Sequence, residues 1–388
     1  MLNKLAAKRK LTILGINSGT SADGVDLALI AFERLGRKPQ VKFLAGTMIP
    51  YPPRIKKALE NFITGKIIDK EELARWDLAY GHFLGTAARE FLNRSGYSVD
   101  LIGSHGQTIG HFPAKSRLSR IGLSATIQIG DGNAVAAASS LPVVHDFRRA
   151  NIALGGEGAP LTPFVNHLLL SHRTKSRIIV NIGGIANFSC HPAGGGLADV
   201  AGGDCGPGNV LSDLACRMLF HKKLDHDGAL ASRGEIIEEI IRPIVEANGR
   251  RRVSAGREQF DWQLLARLIH TARRQHAGKY DIMASVAGAT AMLIHRSIRK
   301  YLKDARLDGI YLTGGGRKNF FVVRRLQARC ETGVVWPIEA LGFDGDLLEA
   351  ISFAALAGCF VFGIPSTLPN VTGGKSGGIA GKLALPPI

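Results

Sequence analysis

The sequence lacks the features that mark several protein classes. Its five cysteines (Cys190, Cys205, Cys216, Cys330 and Cys359) are an odd number and form no C-x-x-C pair. That argues against a disulfide framework or a cysteine zinc site and fits a reducing, cytoplasmic setting. No uninterrupted apolar run reaches membrane-crossing length. The opening Met1 to Lys10 is basic, but the apolar run behind it breaks at Asn17-Ser18-Gly19, which reads as neither a secretory signal nor a span. The fingerprints G-x-x-x-x-G-K-[ST], G-x-G-x-x-G and H-E-x-x-H are missing. Gly374-Lys375-Ser376-Gly377-Gly378 matches G-x-S-x-G, yet Ile379 to Ile388 supply neither the acid nor the histidine that a nucleophile elbow requires. Aromatics are only 7%, and 32 acidic residues face 49 Lys and Arg, for a net charge of +17. Such an excess suits nucleic acid or an anionic small molecule. The basic residues are scattered, with small clusters at Arg148-Arg149, Arg250-Arg251-Arg252 and Arg273-Arg274 and no interleaved aromatics, so we expect no nucleic-acid partner.

What is present is glycine, 47 in 388 residues, with 45% hydrophobic content. That combination supports a large core with many tight turns, an α/β enzyme of two domains. The run Gly19-Thr20-Ser21-Ala22-Asp23-Gly24-Val25-Asp26 parts two apolar strands, Leu11–Ile16 and Val25–Phe32, and predicts a hairpin. Its glycines, hydroxyls and carboxylate suit a phosphate cradle, with Asp23 as a magnesium ligand. An ordinary hairpin turn uses the same small polar residues.

Further strands are expected at Val41–Ile49, Val99–Gly103, Ala125–Ile129 and Leu141–Arg148, and helices at Arg54–Thr64, Lys70–Ser95, Ala134–Ser140 and Leu161–Leu170. The Val99–Gly103 strand should deliver His105, Gln107 and Thr108 at its carboxyl end, where open α/β sheets bind ligands. Arg148 is the best-placed guanidinium for a carboxylate; Asp146 beside it is an alternative ion-pair partner. Gly155-Gly156-Glu157-Gly158-Ala159-Pro160 follows, and Phe147–Pro160 reads as the link between domains.

The second half echoes the first. Arg177–Ser189 is a strand, a glycine turn at Gly183-Gly184, and a return strand. Ala198–Asn209 then leads into a helix at Val210–Phe220, as Ile127–Asn133 leads into Ala134. A strand-rich unit occurring twice predicts a duplicated fold with a cleft between the copies. Asp204 is the sharpest single carboxylate: at a strand end near a helix amino terminus it can deprotonate a nucleophile, although helices also favour aspartate as an N-cap. Ile282–Tyr301 is a long helical pattern, and Gly314-Gly315-Gly316 ends the strand Asp308–Thr313, before a helix at Phe320–Arg329. There an adenosine could lie flat against backbone, or the turn could be a plain strand-to-helix link.

These segments together resemble the anhydro-N-acetylmuramic acid kinase family, within the actin-like and sugar-kinase-like ATPases. The resemblance runs nearly end to end. It is carried by Ser18–Asp26, His105–Ile109, Gln128–Gly132, Asp146-Phe147-Arg148, Gly155–Leu161, Asn181–Asn187, Asp204–Asn209, Gly314–Gly316, Glu349-Ala350 and Leu368–Gly373. It implies two duplicated actin-like/sugar-kinase-like ATPase domains, 1–146 plus 350–388 and 147–349, with a central ATP/substrate cleft, in a cytoplasmic homodimer. The implied reaction opens 1,6-anhydro-N-acetylmuramic acid with water and phosphorylates its 6-oxygen from ATP with Mg2+. In that reaction Asp204 is the catalytic base. Gly19 to Asp26, Gly183, Gly184 and Gly314 to Gly316 hold ATP, Asp23 meets the metal, and His105, Gln107, Thr108, Asp146 and Arg148 hold the sugar. An ordinary sugar kinase and a non-catalytic ATP-binding scaffold are the alternatives. Departures from the family pattern are Asn17 for methionine, Cys205 for threonine, Asn151 for aspartate, Glu157 for glutamine, a stretch at 253–258 without its lysine, and Ser285–Ala291.

Overall fold

The computed structural model describes residues 1–19, 23–34, 39–64, 69–112, 122–249, 260–302, 307–330 and 335–387. Thr20, Ser21 and Ala22 of the hairpin turn, and the 253–258 stretch, lie outside them. The chain divides into two compact units, Met1–Leu169 with Leu347–Ile388, and Leu170–Asp346.

The first unit opens with a short helix α1 (Leu2–Ala6) and an antiparallel meander of β1 (Lys10–Ser18), β2 (Gly24–Glu33) and β3 (Gln40–Pro50). β1 and β2 are buried on both faces, which is why they read as continuous apolar runs. β3 is only partly covered. Helix α2 (Pro53–Ile63) starts on proline, whose fixed φ suits a first helical turn. Helix α3 (Lys70–Ser95) is capped by Asp69, which accepts from the Glu71 and Glu72 amides, and stops at left-handed Gly96. Next come β4 (Leu101–Phe112), parallel to β1; β5 (Ala125–Ile129), antiparallel to the outer half of β4; α4 (Gly132–Ser139); β6 (Val143–His145), parallel to β4; α5 (Arg149–Ala153); and α6 (Thr162–Leu170).

The second unit repeats the plan. β7 (Arg177–Ile182), β8 (Ile185–His191) and β9 (Ala201–Pro207) form an antiparallel meander. Helices α7 (Val210–Phe220), α8 (Glu238–Gly249), α9 (Trp262–Arg274) and α10 (Lys279–Leu302) follow, then β10 (Gly309–Thr313), α11 (Phe320–Arg329) and β11 (Val335–Pro337), with β10 and β11 parallel to β7. The core of this unit gathers around α10, whose residues from Ile282 to Ile294 are buried without interruption. The chain then returns to the first unit through α12 (Leu348–Val361), α13 (Pro369–Thr372) and β12 (Lys382–Ala384), antiparallel to β6.

Among the described residues the two sheets share one order. The first runs β12-β6-β4-β1-β2-β3 with β5 on β4, and the second β11-β10-β7-β8-β9. Each is a three-stranded meander whose first strand pairs with a parallel strand (β4 or β10), which pairs in turn with a second parallel strand (β6 or β11). This is the duplicated α/β fold that the resemblance implies.

Three expectations differ from what is observed. β4 does not end at Gly103 but runs on to Phe112, so His105, Gln107 and Thr108 sit within a strand. Gly106, at φ 70°, and a register shift opposite Ile16–Ser18 bend the strand without ending it. β6 stops at His145, because Asp146 adopts a left-handed φ of 55°. The divisions fall at 169/170 and 346/347 rather than at 146/147 and 349/350. Residues 147–169 belong to the first unit, where Phe147 packs on Phe353 at 5.4 Å and Asn151 bonds to Thr372.

Candidate active site

In the first unit, α12 lies hard against β1 and β4 because glycines face it. A Cβ on Gly15 would sit 1.8 Å from the Ala350 carbonyl oxygen, and one on Gly103 2.3 Å from that of Phe353. This packing brings Glu349 to the end of β1, where buried Asn17 donates its amide to Glu349 Oε2 at 2.8 Å. A methionine at position 17 could not make that bond. On the other face of β1, Ser18 bonds to Gln107 Oε1 and Tyr51 Oη, and Tyr51 Oη bonds to Tyr80 Oη at 2.7 Å. Burial pushes both phenols above their ordinary value of 10.0. Gln107 is fully buried and also donates to the Thr108 carbonyl, so both ends of its amide are engaged internally. The Thr108 hydroxyl accepts from Gln128 Nε2 at 3.1 Å.

Phe353, one helical turn beyond Glu349, stacks on the His105 ring at 4.3 Å and 21°. His105 Nε2 receives Arg148 Nε at 3.0 Å, and Nδ1 faces the Gly106 carbonyl at 3.1 Å. Burial first, and the Arg148 charge second, pull the imidazole down to about 3, so it stays neutral. Arg148 also donates Nη1 to the Gly158 carbonyl at 3.1 Å, while the Gly158 amide is held by Asn151 Oδ1 at 2.7 Å. Asn151 in turn donates to Thr372 Oγ1, which an aspartate could not do. Asp146 is not the partner of Arg148: its carboxylate pairs with Lys382 at 2.7 Å and Arg149 at 3.6 Å. A polar cavity of about 150 Å³ adjoins His105 and is lined by Asp77, Asp131, His145 and Asp146. Buried Ser104 Oγ, without a partner among the described residues, also lines it.

At the hairpin turn, Asp23 is mostly exposed and pairs with Lys56 Nζ at 3.1 Å. Asp26 is half-buried opposite Asn17 in the β1–β2 register. Gly24 is required by packing, since a Cβ there would meet the Ile49 backbone carbonyl oxygen at 2.5 Å.

In the second unit, Asp204 is half-buried and lies inside β9, not at its end. Asn187 opposes Asp204 and Ala186 opposes Gly206, which leaves buried Cys205 as the extra residue of a bulge. Bulges re-aim side chains and recur beside active sites. Nor is Asp204 a helix cap, because Asn209 occupies the position before α7. The Gly208, Asn209 and Val210 amides donate to the Gly183 and Gly184 carbonyls, tying the β7–β8 turn to the start of α7. From α10, Thr290 Oγ1 holds the Pro207 and Gly208 carbonyls at 3.0 Å each.

The triple glycine joins this cluster. A Cβ on Gly314, at φ 74°, would lie 2.4 Å from Asn181 Oδ1, and one on Gly316 2.2 Å from Ile182 Cγ2. Gly315 and Gly183 differ, since a Cβ on either would meet nothing among the described residues nearer than 3.9 Å and 3.5 Å respectively. Their backbone is open to a ligand. Arg317, whose side chain is 5% exposed, secures the turn through Gly314 O, Glu339 and Asp346. Thus Gly183, Gly184, Gly314, Gly315 and Gly316 come together in one unit, and His105, Gln107, Thr108 and Arg148 in the other. Sequence spacing did not mark Glu349 as the neighbour of Asn17, or Arg317 as the brace of its turn, because their partners are remote in the chain.

A family model described as anhydro-N-acetylmuramic acid kinase matches residues 11–385. Curated relatives bearing that name include a Picosynechococcus sp. protein, 36% identical with 97% of this chain and 100% of the relative covered. Others come from Microcystis aeruginosa, 34% identical (96% and 100% covered), and Caldanaerobacter subterraneus subsp. tengcongensis, 31% identical (99% of each covered). The chain belongs to the anhydro-N-acetylmuramic acid kinase family and is a carbohydrate kinase.

Proposed function

We propose that the chain phosphorylates O6 of 1,6-anhydro-N-acetylmuramic acid from ATP while water opens the anhydro bridge. The products are N-acetylmuramic acid 6-phosphate and ADP, in the recycling of peptidoglycan in the cytoplasm, and the enzyme acts as a homodimer. The observation that carries this reading is the family match over residues 11–385. In the reaction Asp204 takes a proton from water as the water oxygen bonds to the anomeric carbon. The bond from that carbon to O6 breaks, O6 takes the γ-phosphoryl group, and ADP leaves with the electrons of the broken P–O bond. The half-buried position of Asp204 on a bulge, outside any helix cap, supports its role as base.

The Gly19 to Asp26 turn, Gly183, Gly184 and Gly314 to Gly316 hold the nucleotide, a role supported by the open space over Gly183 and Gly315. Magnesium on ATP uses few protein carboxylates, and exposed Asp23 fits that sparse donor set. When bound, the ion neutralises charge on the phosphates. Arg148 takes the lactyl carboxylate of the sugar, and Thr108, Gln107, His105 and Asp146 shape the surrounding pocket. Incubation with ATP, Mg2+ and the anhydro sugar in oxygen-18 water, followed by mass spectrometry, tests the reading. A 6-phosphate labelled at the anomeric position, lost in Asp204→Asn, is expected; absence of phosphorylated product from the wild type overturns it.

A further inference from the structure

We propose that His105 is a positioning residue that aims the Arg148 guanidinium at the carboxylate of the substrate rather than a ligand of the sugar itself. The inference rests on the reading that Arg148 receives that carboxylate. Its ground is hydrogen-bond accounting. A guanidinium can only donate and a carbonyl can only accept. His105 Nε2, 3.0 Å from Arg148 Nε, therefore carries no proton, and Nδ1, 3.1 Å from the Gly106 carbonyl, carries it. Both ring nitrogens are spent inside the protein, one ring face is covered by Phe353 at 4.3 Å, and the residue is 7% exposed. Nothing polar on His105 is left for a sugar.

Arg148, in contrast, is held at two points, Nε on His105 and Nη1 on the Gly158 carbonyl. With Nε taken, the side edge of the guanidinium cannot fork a carboxylate. Recognition passes to the remaining Nη donors at its end, whose direction the two anchors set. Burial keeps the imidazole neutral beside a permanent cation, so the acceptor persists wherever the enzyme is folded.

A double-mutant cycle tests the proposal. His105→Phe keeps the ring stack and removes the acceptor, and His105→Gln can restore both an acceptor and a donor. His105→Phe should raise KM for the carboxylate-bearing anhydro sugar about tenfold or more, the size of one lost charge-assisted hydrogen bond, with kcat changed far less. His105→Gln should recover most of that loss, and His105→Phe should add nothing to Arg148→Ala. Losses that multiply in the double variant, or a kcat effect with KM unchanged, overturn the proposal. An arm independent of turnover is the imidazole nitrogen-15 spectrum of the wild type, with His105 assigned by the loss of its signal alone in folded His105→Gln. A neutral Nδ1–H form between about pH 5 and 8 is expected; an Nε2–H form or an imidazolium overturns the proposal. Because this arm needs no substrate, it also separates failure here from failure of the proposed reaction.

Discussion

The side-chain amide of Asn17 donates to Glu349 Oε2 at 2.8 Å, joining positions 332 residues apart in sequence. Asn17→Met should cost only about 1 kcal/mol in chemical denaturation, because exposed Glu349 can exchange the lost bond for water. Asn17→Asp sets two carboxylates together and should cost more than Asn17→Met at pH 7. Equal costs would show that Glu349 is not held there.

The glycines of the Gly314–Gly316 turn divide by what faces them. Gly316→Ala drives a Cβ to 2.2 Å from Ile182 Cγ2 and should lower the melting temperature clearly. Gly315→Ala points into open space and should melt like the wild type while raising KM for ATP. Calorimetry with a nucleotide titration checks both, and an unchanged KM in Gly315→Ala would remove that backbone from the nucleotide site.

Arg317 ties two carboxylates to the same turn. Burial is the largest single influence on Glu339 and would raise it, but the Arg317 hydrogen bond, the Arg317 charge and the backbone donors together outweigh it and the net shift is down. Asp346 is lowered chiefly by its Arg317 hydrogen bond, against burial. Carboxylates depressed in the folded state stabilise it above their unfolded values, and that contribution is lost as pH falls through the folded values. Arg317→Met should therefore lower the urea midpoint at pH 7, and the gap from wild type should narrow as the solution is taken below about pH 4. A gap that is constant with pH would mean that packing, not charge, is what the variant removes.

The Tyr51–Tyr80 pair should make the protein sensitive to alkali. Burial raises both phenols, so the folded state keeps protons that the unfolded chain gives up near 10.0. Stability is then intact below that value and falls as pH rises beyond it. Tyr80→Phe removes one of the two phenols and one hydrogen bond. It should lose about 1 kcal/mol at pH 7 and show a shallower decline above about pH 10. Absorbance of tyrosinate followed with unfolding measures both.

Local pattern carried much of the fold. Lys70–Ser95, Val210–Phe220 and Phe320–Arg329 are helices with the bounds their periodicity and flanking residues predict, and both glycine hairpins are present. The length of β4 was not legible, because glycine and polar residues imitate a turn while β5, from a later segment, supplies hydrogen bonds that keep the strand going. The ion pairs of Asp146 were equally hidden: Lys382 reaches it only through β12, and Arg149 competes with the adjacent Arg148 that the sequence favoured. The bulge at Cys205 depends on register with β8, which no spacing within β9 reveals.

The return of α12 and β12 to the first unit has a consequence for synthesis on the ribosome. Unit Leu170–Asp346 holds all its strands in one continuous stretch and can close as soon as β11 has emerged. The N-terminal sheet, though made first, must wait with the glycine face of β1 and β4 bare until α12 covers it. The later-born half is therefore the first able to finish, and a nascent chain stalled before residue 348 would present that apolar face to chaperones.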